Sequence, residues 1–562
     1  MRAETAIYPV AANGCPGGMP VMAAVAPIPA NGAPISPASV IPTLLHLDVP
    51  RERARLADLL RESQPVFEDS KRDTAALERV DLQCPEHSDD LRLMVHSVDE
   101  SRCDYDSESK GRNNDIFALA RDLYRDTALL TPKLVRKIDE HDTFKREQQV
   151  VLRVKYLVTL YDRYAREQAR DPHAAAVYQH LDLPMVPVFR DMEAVGVGCD
   201  DEAARWMAMK EDEDQTRDME ALATVVPRPH AVLNDNKLRT LVYSGWRFQP
   251  KHFSKNKKPS VKDKALLALG DPRLTAIVRV RKRDRLLTAL NQLAEPRLHS
   301  TFDLASAVTG RVYVRQPNLQ GVPRTIRELI IPAEGCVFII LDYSQMELHV
   351  LAELSRDPRL VGAILAGRDL HTETAAVVYG VRRDDVTKDQ RDVGKEVNFG
   401  VIYGETFRGL SEALGVSFSD AESYLQRHKR AFPGVEAWRK RTITQAIAAG
   451  GLVRSRVGRR RYLPAVCSQR GRAKASRQLI NFMVQSLAAD IYKSRLRQIA
   501  EAVRGVAWPV LSVHDEIVLE CARASADGVL REVVEIAQRP VRGFCVPLKV
   551  NAVIGKTWAD KP

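Results

Sequence analysis

Arg391, Lys395, Phe399 and Tyr403 stand four residues apart in RDVGKEVNFGVIYGET. On an α-helix that interval draws one slowly drifting stripe, about 18 Å from end to end. The stripe is sorted by chemistry, with two cations at one end and two aromatic rings at the other. A nucleoside triphosphate has its parts in the same order: anionic phosphates, then sugar, then a flat base. Arg391 and Lys395 suit the phosphates, Phe399 the sugar and Tyr403 the base pair. An amphipathic helix with buried rings and snorkelling cations has the same spacing. Gly400 and Gly404 weaken a purely structural helix, however, and Gly404 directly after Tyr403 suits a hinge or a close approach.

Carboxylates supply the second kind of chemistry. Val337 to Leu341 reads as a buried strand with Asp342 at its end, and Val510–Val513 and Ile517–Glu520 read as a hairpin whose tip is His514-Asp515-Glu516. Taken singly, Asp342 is a helix cap and Asp515 a turn residue. Side by side on one sheet they would be hard oxygen ligands for two Mg²⁺ ions about 3.5–4 Å apart, with Mn²⁺ a possible substitute. Such a pair serves in-line phosphoryl transfer, which needs mainly positioning and charge stabilisation.

The elements that must position these groups change character along the chain. Residues 1–45 are rich in Ala, Pro and Gly, with seven prolines between Pro16 and Pro42, and are expected to be a disordered extension with neither signal peptide nor membrane anchor. Residues 46–185 are charged and helix-prone. From Leu183 to about Leu293, long periodic helices enclose a lysine-rich loop around Lys251–Lys264, which predicts a basic-tipped arm. Apolar β-type runs then flank a helical block from about Arg356 to Lys493, as in a sheet that carries the chemistry with an inserted subdomain.

At 562 residues the chain is too long for one core. Lys and Arg exceed Asp and Glu by 84 − 73 = 11, and the excess is local: Ala437 to Ala489 holds twelve basic residues and no acid. That stripe is expected to face phosphates. The eight cysteines are scattered without Cys-x-x-Cys spacing, which predicts reduced thiols in a cytoplasm, no disulfide framework and no zinc site.

In order, these stretches closely resemble the family A DNA polymerases, the group of bacterial DNA polymerase I and related phage enzymes. The resemblance runs from about Leu183 to Trp558, through TGRVYVRQPNLQGVP (309–323), LDYSQMELHVLAELSRDPRL (341–360), DLHTETA (369–375), RDVGKEVNFGVIYGETFRGL (391–410), RQLINFMVQSLAAD (477–490) and VHDEIVLE (513–520). It implies an α+β multidomain, right-hand architecture, with a palm built on an antiparallel sheet, helical fingers and thumb, and primer-template DNA and deoxynucleoside triphosphates as partners. The implied divisions are 186–296 thumb, 297–355 palm, 356–476 fingers and 477–562 palm again.

The resemblance makes Asp342 and Asp515 the metal ligands, Glu516 an auxiliary acid and Lys395 part of the catalytic set. The Arg391–Tyr403 helix would close on the incoming nucleotide. Gln345 and His371 match residues near its sugar and phosphates, and Glu347 matches the side chain filling the space of a ribose 2′-hydroxyl. Phe399, where others have Tyr, implies poor use of dideoxynucleotides. Arg311, Asn318, Gln320, Arg477, Asn481, Gln485 and His514 match contacts to the duplex, primer or template. His349 departs from the family's usual Arg, and Glu396 adds a negative charge beside Lys395.

The family often carries a 3′→5′ exonuclease domain upstream. Here Lys155 and Val151 fall where its last motif has Asp and Tyr, and the only upstream DxE, Asp106-Ser107-Glu108, lies in a polar run. Residues 46–185 are therefore expected to be a degenerate exonuclease-like domain without activity. A catalytically inactive primer-template binder would have no need of Asp342, Asp515 and the Arg391/Lys395 pair together. A single-subunit RNA polymerase is opposed by Glu347.

Overall fold

A computed structural model describes residues 4–11, 20–28, 40–67, 69–85, 88–98, 143–250 and 258–561. Five strands build the N-terminal sheet: β1 (Glu4–Ala11), β2 (Pro20–Pro27), β3 (Thr43–His46), β4 (Gln64–Phe67) and β5 (Asp89–Asp90). Their order is β3-β2-β1-β4-β5; β2 runs antiparallel to both β1 and β3, while β1, β4 and β5 run parallel. Over the described residues 4–11, 20–28 and 40–45 this corrects the expectation of a disordered extension. The alanines that suggested disorder are the packing surface, since Ala6, Ala23, Ala24 and Ala26 are fully buried. Pro20 and Pro27 sit at the two ends of β2, where a missing N–H does least harm to the ladder. Small side chains let the helix Thr143–Ala169 lie close on the sheet, and its Val150, Val154 and Tyr161 join Ala6, Ala24 and Ala26 in one core. Asp106-Ser107-Glu108 lies outside the described residues.

Two long helices, Asp201–Ala223 and Pro272–Asn291, pair to form the expected arm. Its far end is better packed than the sequence suggested. Leu222, Val232, Leu238, Val242, Leu266, Leu274 and Ile277 close a small core of their own. Arg283 bonds Glu211, Asp214 and Asp218 on the partner helix, so part of the region's positive charge is spent holding the arm together. Residues 251–257 of the lysine-rich loop lie outside the described residues.

The central sheet has four strands: β6 (Cys336–Tyr343), β7 (Ala507–Val513), β8 (Glu516–Ala522) and β9 (Val550–Gly555). They pair antiparallel in the order β7-β8-β6-β9. Phe338, Ile339, Ile340, Ile517, Val518 and Leu519 are fully buried. Strands covered on both faces read as continuous apolar runs, as these do. Between β6 and β7 come the helices α1 (Leu370–Tyr379) and α2 (Lys388–Tyr403) and the 31-residue α3 (Arg472–Ala502). No helix among the described residues is long and apolar enough to cross a membrane.

The acid-free basic stripe does not face outward as a whole. Arg454 and Arg460 bond Asp171, Arg456 bonds Glu353, and Arg459 is buried between Asp182 and Asp490. Lys493 also reaches Asp182, so the N-terminal unit, the hairpin Leu452–Tyr462 and α3 share one buried charge cluster. Acids distant in sequence neutralise these cations, which a local charge count cannot reveal.

Candidate active site

The register of the central sheet decides where the two acids meet. Asp342 lies directly across from Glu516 on β8, and the amide of Tyr343 donates to the Asp515 carbonyl at 3.2 Å. His514 makes the tight β7–β8 turn with φ +56°, a left-handed conformation uncommon for a non-glycine residue. Asp342 and Asp515 thus emerge at one edge of the same sheet. Burial pushes the carboxyl of Asp342 up, and Glu516 and Asp515 push it further. Burial raises Asp515 too, against the pull of Arg311 and His514. Neither carboxylate has a hydrogen bond or ion pair among the described residues. Glu516 differs: Trp558 Nε1 donates to one of its oxygens, and Lys561 Nζ donates to the other at 2.8 Å. The residue expected as an auxiliary acid is committed to protein partners.

Asp515 opens on a cavity of about 310 Å³ whose walls include Arg311, Gln320, Gln485, Lys493 and His514. Arg311 forms an ion pair with buried Glu347, which in turn interacts with Tyr403 and Gln485. Burial raises both the Glu347 carboxyl and the Tyr403 phenol. On α3, Asn481 donates to Gln485 at 3.3 Å. Gln320 reaches the carbonyls of Val312 and Ser512, tying the 309–323 loop to β7. Asn318 stays exposed outside the cavity. Burial lowers the pKa of His514, and Arg311 adds to the effect.

The ladder lies on α2 as its spacing predicts. Thr387 and Gln390 close a capping box at its start, and Gly404 ends it in the left-handed region at φ +63°. Phe399 and Tyr403 stack at 5.9 Å with an interplanar angle of 8°. The Lys395 ammonium lies 6.0 Å from the Phe399 ring, and Glu396 is exposed. Asp369, the N-cap of α1, gathers three partners: Arg391 at 2.7 Å, Gln345 at 2.8 Å and the Thr372 amide at 2.7 Å. Against the opposing effect of burial, Arg391 and Thr372 hold its carboxyl down at about 2. His371 is buried against Asn398 at 3.1 Å, and burial lowers its pKa to about 4. Arg477 packs on Gly404, where an added Cβ would come within 2.6 Å of the Arg477 side chain. His349, the departure from Arg, bonds the Pro547 carbonyl at 2.7 Å.

Sequence reading missed Asp369, Asn398 and Gly394. A Cβ at Gly394 would lie 2.3 Å from the His371 carbonyl, so this glycine is what lets α1 and α2 touch. Its signal was present as a glycine on the ladder helix, and that of Asp369 as an Asp-x-x-Thr start to a helix.

The family model of DNA polymerase family A matches residues 210–560. This chain belongs to DNA polymerase family A. Relatives include the thermostable DNA polymerase I of Thermus aquaticus, 32% identical over 68% of this chain and 48% of its own length. DNA polymerase I of Chloroflexus aurantiacus is 30% identical over 72% of the chain and 45% of its own length. The chain therefore spans about half the length of these relatives. Among solved structures, the POL domain of Pol1 from M. smegmatis, in complex with DNA primer-template and dNTP, superposes with a TM-score of 0.81 over 99% of this chain and 96% of that one, at 24% identity. That likeness speaks to fold, and it extends to the N-terminal sheet that lies outside the family match. Every candidate residue named above falls inside the family A match.

Proposed function

We propose that the chain is a DNA-directed DNA polymerase that extends a primer 3′-hydroxyl by divalent-metal-assisted phosphoryl transfer. The observation that carries this reading is the pair Asp342 and Asp515, brought to one sheet edge with carboxylates that no protein group satisfies. Carboxylates without a bonded protein partner, that of Asp515 opening on a cavity, fit hard cations such as Mg²⁺ or Mn²⁺. Among the described residues no third acid, Cys or His completes a ligand cluster, so further oxygens would come from substrate or water. Bound there, the ions would acidify the attacking hydroxyl and neutralise charge on the leaving pyrophosphate.

The remaining residues bind and orient. Arg391 and Lys395 present cations toward the triphosphate, with Asp369 fixing the Arg391 guanidinium. The Phe399–Tyr403 stack offers a surface for sugar and base. Arg311, Gln485 and Asn481 line the approach of the duplex, where hydrogen bonds to minor-groove acceptors sense pairing rather than sequence. Asn318, Gln320, Arg477 and His514 belong to the same DNA-binding set. Residues 186–296 act as thumb, 356–476 as fingers, and 297–355 with 477–562 as palm. A bacterial or phage-infected cytoplasm suits the unpaired cysteines among the described residues.

Proofreading is absent in this reading. Lys155 sits on the helix Thr143–Ala169 in place of a ligand. The buried acids of the N-terminal unit are already satisfied: Asp89 accepts from Tyr161 and Tyr178, Asp90 from Ser70, and Asp69 from Arg92. The five-stranded sheet supports an exonuclease-like scaffold kept without its chemistry.

Primer extension is the test. Asp342→Asn and Asp515→Asn should each lower the rate by about a thousandfold or more. Because both carboxyls are destabilised in the fold, neither change should lower the melting temperature. Wild-type-like extension by either variant refutes the metal-site reading, and Mg²⁺-dependent removal of mismatched 3′ ends by the wild type refutes the loss of proofreading.

A further inference from the structure

After β9 the chain turns back on the carboxylate edge. Asp560 accepts from the amides of Lys556 and Thr557 at 2.7 and 3.2 Å, which closes a tight hook. The hook seats Trp558, fully buried, with its amide on the Ile330 carbonyl at 2.9 Å and its ring 3.9 Å from the Arg327 guanidinium carbon. From there the indole N–H occupies one oxygen of Glu516, and Lys561 Nζ occupies the other at 2.8 Å. Glu516 is the cross-strand partner of Asp342, one residue after Asp515.

Two physical effects follow. Glu516 cannot swing toward the metal-binding pair without breaking both bonds. A full positive charge, one-third exposed, also stands on the cross-strand partner of Asp342. Arg327 does not duplicate this contact: its nearest approach to Glu516 is 3.8 Å, and its buried Nε and Nη1 make no hydrogen bond.

We propose that Lys561 is a positioning residue that keeps Glu516 out of the ion-binding pair and weakens, by its charge, the uptake of a divalent cation by Asp342 and Asp515. The proposal rests on the polymerase reading of this site. Such a brake would leave full ion occupancy to the ternary state, in which the triphosphate brings its own negative charge. Removing the ammonium both deletes a repulsion and frees a third carboxylate, so the two effects act in the same direction.

The experiment is Mn²⁺ binding to the full chain without DNA or nucleotide, followed by electron paramagnetic resonance, for wild type, Lys561→Met and Lys561→Arg. Lys561→Met should bind Mn²⁺ about three- to tenfold more tightly at low ionic strength, and the gap should narrow as salt is added. Lys561→Arg should stay with the wild type. Trp558 fluorescence and the melting temperature report whether the hook is retained. Equal Mn²⁺ affinity in Lys561→Met and wild type, with primer extension intact, overturns the role of Lys561 alone. So does a Lys561→Arg shift as large as that of Lys561→Met. A wild type that neither takes up Mn²⁺ nor extends a primer removes the polymerase reading itself.

Discussion

Glu347 illustrates how much one side chain can be asked to do. It is buried, ion-paired to Arg311 and linked to Tyr403 and Gln485, so it joins the cavity beside Asp515 to the C-terminal end of α2. A rigid carboxylate in a sugar pocket discriminates by occupying space and by holding that space through its partners. Glu347→Ala should therefore raise ribonucleotide use relative to deoxynucleotide by on the order of a hundredfold. Deoxynucleotide extension should also slow, because Arg311 loses its partner. Single-nucleotide incorporation with the two sugars on one primer-template measures both effects; an unchanged ratio removes Glu347 from the sugar pocket. Spacing alone pointed to Arg391, Lys395, Phe399 and Tyr403 because a helix converts interval into direction. Asp369 was harder to see, since its value lies in joining Arg391 and Gln345, residues that are far apart along the chain.

Among elements, the contact between α1 and α2 carries the proposed nucleotide site. It depends on Gly394, where the backbone of α1 approaches too closely for any side chain. Gly394→Ala must push the helices apart, at a cost of about 1–3 kcal/mol of stability. The displacement would carry Arg391 and Lys395 with it. The expected kinetic signature is a raised KM for nucleotide with primer-template affinity nearly unchanged, measured by steady-state incorporation and by DNA binding in parallel. An unaltered KM would mean that the pairing of α1 with α2 does not set phosphate contacts. The hairpin tip followed from its apolar flanks, but the left-handed φ of His514 and the hold of Tyr492 on Ser512 belong to packing against α3.

At the scale of the whole molecule, charge is buried widely, and acid should expose it. His428 is buried beside Phe432, and burial, with Arg439 and Lys429 nearby, lowers its pKa to about 3. With the folded pKa below the ordinary 6.5, its stabilising share is complete above pH 6.5 and is lost as pH falls, because the unfolded chain takes up the proton first. Asp90, which burial raises to about 6, acts in the opposite direction, gaining stability once protonated. The wild-type pH curve mixes the two. The difference between wild type and His428→Phe separates them, and it should shift against the wild type by about 2 kcal/mol between pH 7 and pH 5. Urea midpoints at the two pH values give the number; a difference independent of pH would mean that His428 is not held neutral by the fold.

The sequence by itself determined the local chemistry: which residues line a helix stripe, which acids end apolar strands, and the order of motifs that marks the family. Those features are set by 3.6-residue and two-residue periodicities and by strand-end position, all of which are properties of neighbours. Only the tertiary structure decided which charges remain free. It spent Arg454, Arg456, Arg459 and Arg460 on acids from distant segments and Glu516 on Trp558 and Lys561, and it left Asp342 and Asp515 without partners. It also folded an alanine-rich start into strands, because small side chains become a packing surface once a helix covers them. Composition counts charges and methyl groups, whereas their energies depend on which partners the fold brings within a few ångströms.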